Sequence, residues 1–219
     1  MKLTFILIGL NIIAYVISAF MSGSIIDMDV EILVKLGAIF GPFTVVDSQW
    51  QTLFTAIFLH AGMTHLLMNM FSLYLIGRSV EQYFNTVAYL GVYLFSGIIG
   101  GLVSLYMHPF SVGVGASGAI FGLFGALAGF FLAHRSKIEE HSKAFMKDFA
   151  VILGINLVLG FSIESIDVSA HIGGLVVGMI GGFILSKNPK WIGAYSMIMC
   201  IVILLMMQYL PTQYAQRIF

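Results

Sequence analysis

The chain has 219 residues, of which 59% are hydrophobic and only 9% charged, with a formal net charge of zero. A soluble domain carries about 25% charged residues, so this chain cannot coat a water-facing surface and reads as an integral membrane protein. The balanced charge gives no sign of a nucleic-acid partner, and a single cysteine, Cys200, excludes an intrachain disulfide.

Seven apolar segments follow in chain order: 4–21, 62–80, 86–107, 116–134, 148–162, 168–186 and 191–210. Each approaches the ~20 residues that cross a hydrocarbon core. The first, preceded by Lys2, is longer than the apolar part of a typical signal peptide, so it reads as an uncleaved span. Lipid offers no partner to backbone N–H and C=O groups, so the segments must be helices. The expected fold class is all-α, a polytopic membrane helix bundle. The connection 22–61 is itself fairly apolar, and Gly23, Gly37, Gly41 and Pro42 break it into short pieces. It reads as a structured loop partly embedded in the outer leaflet.

Basic residues orient the bundle. With the N-terminus inside, Lys2, Arg78, Arg135, Lys137, Lys143, Lys147, Lys187 and Lys190 fall on the cytoplasmic side, and only Lys35 and Arg217 fall outside. Spans two, four and six then run from outside to inside. His65, Ser117 and His171 lie near their starts, so all three sit at a similar shallow depth below the outer surface.

Ser117 lies in Gly113-Val-Gly-Ala-Ser-Gly-Ala-Ile-Phe-Gly122. Glycines there permit an unusual backbone entry into the span, and a helix N-terminus offers free N–H groups to an oxyanion. The other reading is a small-residue packing seam. His171, in Ala170-His171-Ile-Gly-Gly174, is costly inside a span and is a functional candidate on that ground. It could take the proton of Ser117, or it could be a packed, hydrogen-bonded structural histidine. Gly174, Gly178 and Gly182 form one stripe, and Gly118, Gly122, Ala126 and Gly129 another. Such stripes let two helices approach closely. His65 and Asn69 share a helix face and can both donate hydrogen bonds, either to an oxyanion or simply between helices. His60, at the loop-to-helix junction, is expected to make a structural hydrogen bond. Asp167 stands four residues before His171 and could reach it as a third member, but a Ser-His dyad is the simpler reading. Glu81 could cap or anchor the inner end of span two. Neither a CxxC nor an HExxH motif occurs, so zinc chemistry has no support.

Taken in order, these motifs resemble the rhomboid family of intramembrane serine proteases. The resemblance covers nearly the whole chain. It is carried by Leu36-Gly37-Ala38, Trp50 with Thr55 and Phe58-Leu59-His60, His65-Leu-Leu-Met-Asn69-Met, Gly77 with Glu81, and the Ser117 and His171 motifs. It implies a six-helix catalytic core, residues 1–190, with an added C-terminal helix and tail, 191–219. It implies Ser117 as nucleophile and His171 as general base, without a catalytic aspartate, cofactor or metal. His65, Asn69 and the Ser117 backbone N–H would form the oxyanion site. Gly115, Phe121, Trp50 and His60 would support it. The implied substrates are single-pass transmembrane proteins, cut near their outer ends within the lipid bilayer. Two positions depart from the usual pattern: Gln51 stands where many members carry arginine, and Phe121 where many carry tyrosine. The compact form suggests a bacterial cell membrane. Two rival classes are a non-catalytic binder of membrane helices, which usually lacks the serine or the histidine, and a transporter or proton channel. The latter expects paired intramembrane acids and inverted repeats, neither of which is evident.

Overall fold

The computed structural model describes residues 2–136 and 167–218. The fifth expected span, 148–162, lies outside the described residues, as do Lys137, Lys143 and Lys147. Among the described residues the structure is helical, with isolated bridges in place of strands. Helix α1 runs Lys2–Ser22, α2 Val30–Lys35, α3 Thr52–Thr55, α4 Met63–Tyr83, α5 Thr86–Met107, α6 Ser117–His134, α7 Val168–Lys187 and α8 Ile192–Ile218. A short π-helix, Pro42–Val46, lies between α2 and α3.

Among the described residues, five helices are long and apolar enough to cross a membrane: α1, α5, α6, α7 and α8. Helix α4 matches them in length but carries His65, Asn69, Arg78 and Glu81, which make it less apolar. The side chains facing outward on α1, α4 and α8 include Phe5, Ile13, Phe20, Met68, Phe71, Met197 and Leu204. A water-soluble fold would bury residues of this kind; here they form the lipid-facing surface.

Side chains close the starts of α1, α2, α5 and α7, while α3, α4 and α6 have no side-chain cap. Asp29 accepts from the N–H groups of Glu31 and Ile32, and Asn85 from that of Ala88. The cap of α1 comes from 78 residues away. Glu81 Oε1 accepts from Leu3 N at 2.8 Å and Thr4 N at 3.3 Å. Glu81 was expected to cap or anchor the inner end of its own span, and it anchors that end by closing the start of α1. Next to it, Thr4 Oγ1 meets the Tyr89 hydroxyl at 3.2 Å, so α1, α4 and α5 are joined by polar contacts at one end.

The centre of the bundle is the pair α6 and α7. Adding a Cβ to Gly174, Gly178 or Gly182 would place it 2.0, 1.8 or 2.1 Å from the carbonyl oxygens of Gly118, Gly122 and Ala126. Gly125 and Gly129 meet the carbonyls of Leu175 and Met179 in the same way, at 2.1 and 2.2 Å. The two expected glycine stripes therefore face each other, and main chain lies directly on main chain. This is the close approach that small residues permit in lipid.

The connection 22–61 is structured, as expected. Ile39 and Gly113 exchange two backbone hydrogen bonds, at 2.9 and 2.8 Å, and Gly115 N donates to Ala56 O at 2.9 Å. The Thr44 and Thr52 hydroxyls meet at 2.7 Å, and Thr55 Oγ1 donates to Gly37 O at 2.6 Å. Helix α8 braces the same region from behind. Leu210 and Tyr214 join a buried cluster with Ile39, Val45, Leu53 and Leu105, and the Tyr214 hydroxyl lies 3.1 Å from Leu105 O and 3.0 Å from Pro109 O.

Candidate active site

Ser117 is the first residue of α6, and the chain reaches it through a turn built on Gly115. Gly115 has φ +125, a conformation that side-chain-bearing residues rarely adopt. The space above it is also occupied. A Cβ there would lie 2.8 Å from His65 Nε2 and 3.9 Å from Ser117 Oγ. One small region beside Gly115 is thus bordered by a histidine of α4 and the hydroxyl of α6. Unlike α2, α5 and α7, helix α6 has no side-chain cap, since Ala116 stands at its N-cap. Its first N–H groups take no side chain, in a region of positive helix-end potential.

Helix α4 brings Asn69 to the same side as His65. Asn69 is buried, and its Nδ2 donates to His65 O at 2.9 Å. His60 is fully buried with its ring edge-on to that of His65, centroids 5.0 Å apart. By strict geometry neither His60 ring nitrogen completes the expected structural hydrogen bond; the Phe58 backbone is its nearby polar partner. Burial, then the neighbouring His65, pushes His60 down to about 3, against the opposing pull of the nearby Phe58 carbonyl. His60 therefore stays neutral at physiological pH.

His171 lies in the first turn of α7, buried, with its ring stacked on Phe121 at 4.2 Å and nearly parallel. Phe121 is one turn below Ser117 on α6, so the stack holds His171 on the serine side of the helix pair. Among the described residues no hydrogen bond joins Ser117 to His171, and His171 Nδ1 has no partner. Catalytic hydrogen bonds are often long before substrate closes the site. Among the described residues no hydrogen bond joins the Asp167 and His171 side chains. Its carboxylate is engaged in capping α7, accepting from Ala170 N at 3.1 Å and from the Ser169 hydroxyl. Burial raises the pKa of Asp167, but hydrogen bonds from Ser104, Ser169 and Ala170 N outweigh it and hold the carboxyl below its usual range.

Trp50 is half-buried against the cluster of Ile39, Val45 and Leu53. Gln51 is exposed and contributes only its backbone to α3; the hydroxyls of Thr44, Thr52 and Thr55 anchor the loop. A cavity of about 60 Å³ opens beside Ser117, lined by Gly97, Gly101, Ser104, Gly115, Gly118, Asp167 and Ala170 among others. It is large enough for water. Ser104 and Gly97 carry no sequence signal that sets them apart from packing residues of an apolar helix.

A family model described as the rhomboid domain matches residues 47–188. The chain belongs to the rhomboid family. It is 36% identical over 180 residues to the rhomboid protease GluP of Bacillus subtilis (strain 168), covering 82% of this chain and 33% of that protein. It is 39% identical over 158 residues to RHOMBOID-like protein 6, mitochondrial, of Arabidopsis thaliana, covering 72% of this chain and 51% of that one. A third relative, the putative rhomboid protease YdcA of Bacillus subtilis (strain 168), is 39% identical over 145 residues, covering 65% of this chain and 68% of the relative. The chain spans a third to about half the length of several of the curated relatives it matches. The rhomboid match contains Trp50, His60, His65, Asn69, Gly115, Ser117, Phe121 and His171, and it ends before α8.

Proposed function

We propose that this rhomboid is an intramembrane serine endopeptidase that cleaves single-pass transmembrane proteins near their outer ends. The observation that carries the reading is the uncapped start of α6, with Ser117 as its first residue and His65 Nε2 across Gly115. Those N–H groups are left without a side-chain acceptor, whereas the packed partners α5 and α7 have theirs capped by Asn85 and Asp167. The residues 1–190 act as the catalytic core, the N-terminus is cytoplasmic and the site opens outward.

A substrate helix enters from the bilayer and unwinds locally, since its carbonyl must leave the helix to be attacked. Ser117 Oγ bonds to the scissile carbonyl carbon while its proton passes to a ring nitrogen of His171. The carbonyl oxygen becomes an oxyanion, which takes hydrogen bonds from the Ser117 N–H, His65 and the second amide N–H of Asn69. His171 then protonates the departing amine, and the C–N bond breaks to leave an acyl-enzyme. Water entering through the cavity beside Ser117 gives its proton to His171 and its oxygen to the acyl carbon, releasing a carboxylate and restoring the serine.

A fluorophosphonate probe applied to detergent-solubilised protein tests this. Labelling of the wild type should vanish in both Ser117→Ala and His171→Ala. A Ser117→Ala variant that still cleaves a model transmembrane substrate would overturn the assignment.

A further inference from the structure

The cavity beside Ser117 has an uneven lining. Most of it is apolar, made of glycine, alanine and the aliphatic side chains of Ile39, Leu53, Ile57 and Val114. Besides Ser117 its polar lining residues are Ser104 of α5 and Asp167 at the start of α7. The Asp167 carboxylate is fixed by two donors of its own helix start, the Ser169 hydroxyl and Ala170 N, and Ser104 of α5 lines the same cavity. A carboxylate supplied with donors in this way is held in its ionised form. Asp167 thus lines a partly enclosed space that Ser117 also lines.

Resting on the protease reading above, we infer that Asp167 sets the charge selectivity of the cavity, admitting small neutral or hydrogen-bond-donating substrate side chains beside the scissile bond and rejecting acidic ones. Capping alone does not require this exposure to the cavity, since Asp29 and Asn85 cap their helices without lining it. An acidic substrate side chain placed there would set two like charges together in a medium of low effective dielectric, where repulsion is many times that in water. Asparagine has the shape of aspartate without its charge, so it separates volume from electrostatics on both the enzyme and the substrate. Asparagine is also a good N-cap, which allows α7 to keep its start in Asp167→Asn.

The experiment measures kcat/KM for model transmembrane substrates carrying Asp or Asn at each of the two positions flanking the cut. The wild type should prefer the Asn substrate over the Asp substrate by about tenfold or more at one of those positions. In Asp167→Asn that preference should shrink to within about threefold, while Ser104→Ala, which keeps the carboxylate, should preserve it. A purely structural role for Asp167 would lower both rates in parallel and leave their ratio intact, which overturns the inference. Probe labelling of Ser117 separates the two levels: a wild type that is labelled and cleaves, with a ratio insensitive to Asp167→Asn, refutes charge selectivity alone. A wild type that neither labels nor cleaves refutes the protease reading and this inference with it.

Discussion

Replacing Gly174 by alanine is the sharpest test of how the active helices are held. The new Cβ would sit 2.0 Å from Gly118 O and 2.9 Å from Gly118 C. Both are main-chain atoms, so no rotamer change can relieve the contact. The helices must part by about 1 Å before the closest distance reaches even 3.0 Å. Overpacking of this kind costs about 1–3 kcal/mol. It also acts next to the proposed dyad, because Gly118 follows Ser117 and Gly174 lies one turn past His171. A misplacement of about 1 Å lowers a rate by about 10²-fold. Gly174→Ala should therefore melt at lower temperature in detergent and cleave a model transmembrane substrate about 10²-fold more slowly. Gly9→Ala and Gly193→Ala, where an added Cβ meets nothing within 4 Å, should behave as wild type or melt slightly higher. A Gly174→Ala protein with unchanged melting and unchanged rate would refute the backbone-on-backbone contact.

Gly115→Ala combines an unfavourable φ with a Cβ 2.8 Å from His65 Nε2; probe labelling of Ser117 should fall by at least about tenfold, and normal labelling would show that the turn tolerates a side chain. Glu81→Ala removes the acceptor for Leu3 N and Thr4 N and should cost about 1–2 kcal/mol in thermal or denaturant unfolding, with Glu81→Gln recovering part of it; equal stability of all three proteins would count against the cap. His60 is held down to about 3 in the folded protein against about 6.5 unfolded. The unfolded chain thus binds more protons between those values, so stability contributed by neutral His60 is complete above about pH 6.5 and is lost as pH falls toward 3. Unfolding followed from pH 7 to pH 4 should show a shallower acid loss in His60→Leu than in the wild type, and identical slopes would contradict the burial argument.

Much of the helical frame was legible because lipid makes length and apolarity decisive. The third segment was expected at 86–107 and runs Thr86–Met107, and the fourth and sixth differ by one residue. The last helix was expected to stop at 210, before Pro211, yet it continues to Ile218. There Leu210 and Tyr214 pack onto α5 and the 37–57 loop, and tertiary contact overrides the local cost of proline. The stripes of glycine were readable as periodicity, though not which carbonyl each would meet. Phe121, which stands where many family members carry tyrosine, stacks on His171 without a hydroxyl. What the sequence hid were polar contacts between distant residues. Nothing local to Glu81 announces that it closes a helix 78 residues earlier. Nothing local to Asp167 separates a cap that faces a cavity from a member of a triad, because that depends on where Ser104 of α5 comes to lie.

The facing glycines of α6 and α7 also bear on motion. Where side chains interlock, a helix pair can slip by exchanging rotamers. Here the contact surfaces are peptide groups, which have no alternative positions to exchange. The carbonyls of Gly118, Gly122 and Ala126 sit in successive notches of α7 like teeth, so the pair resists both sliding and spreading. The two helices carrying Ser117 and His171 would then travel as a single stiff body. Any opening that admits a substrate helix belongs to the elements around that body, and a spin-label pair across α6 and α7 should keep one narrow distance while labels elsewhere broaden.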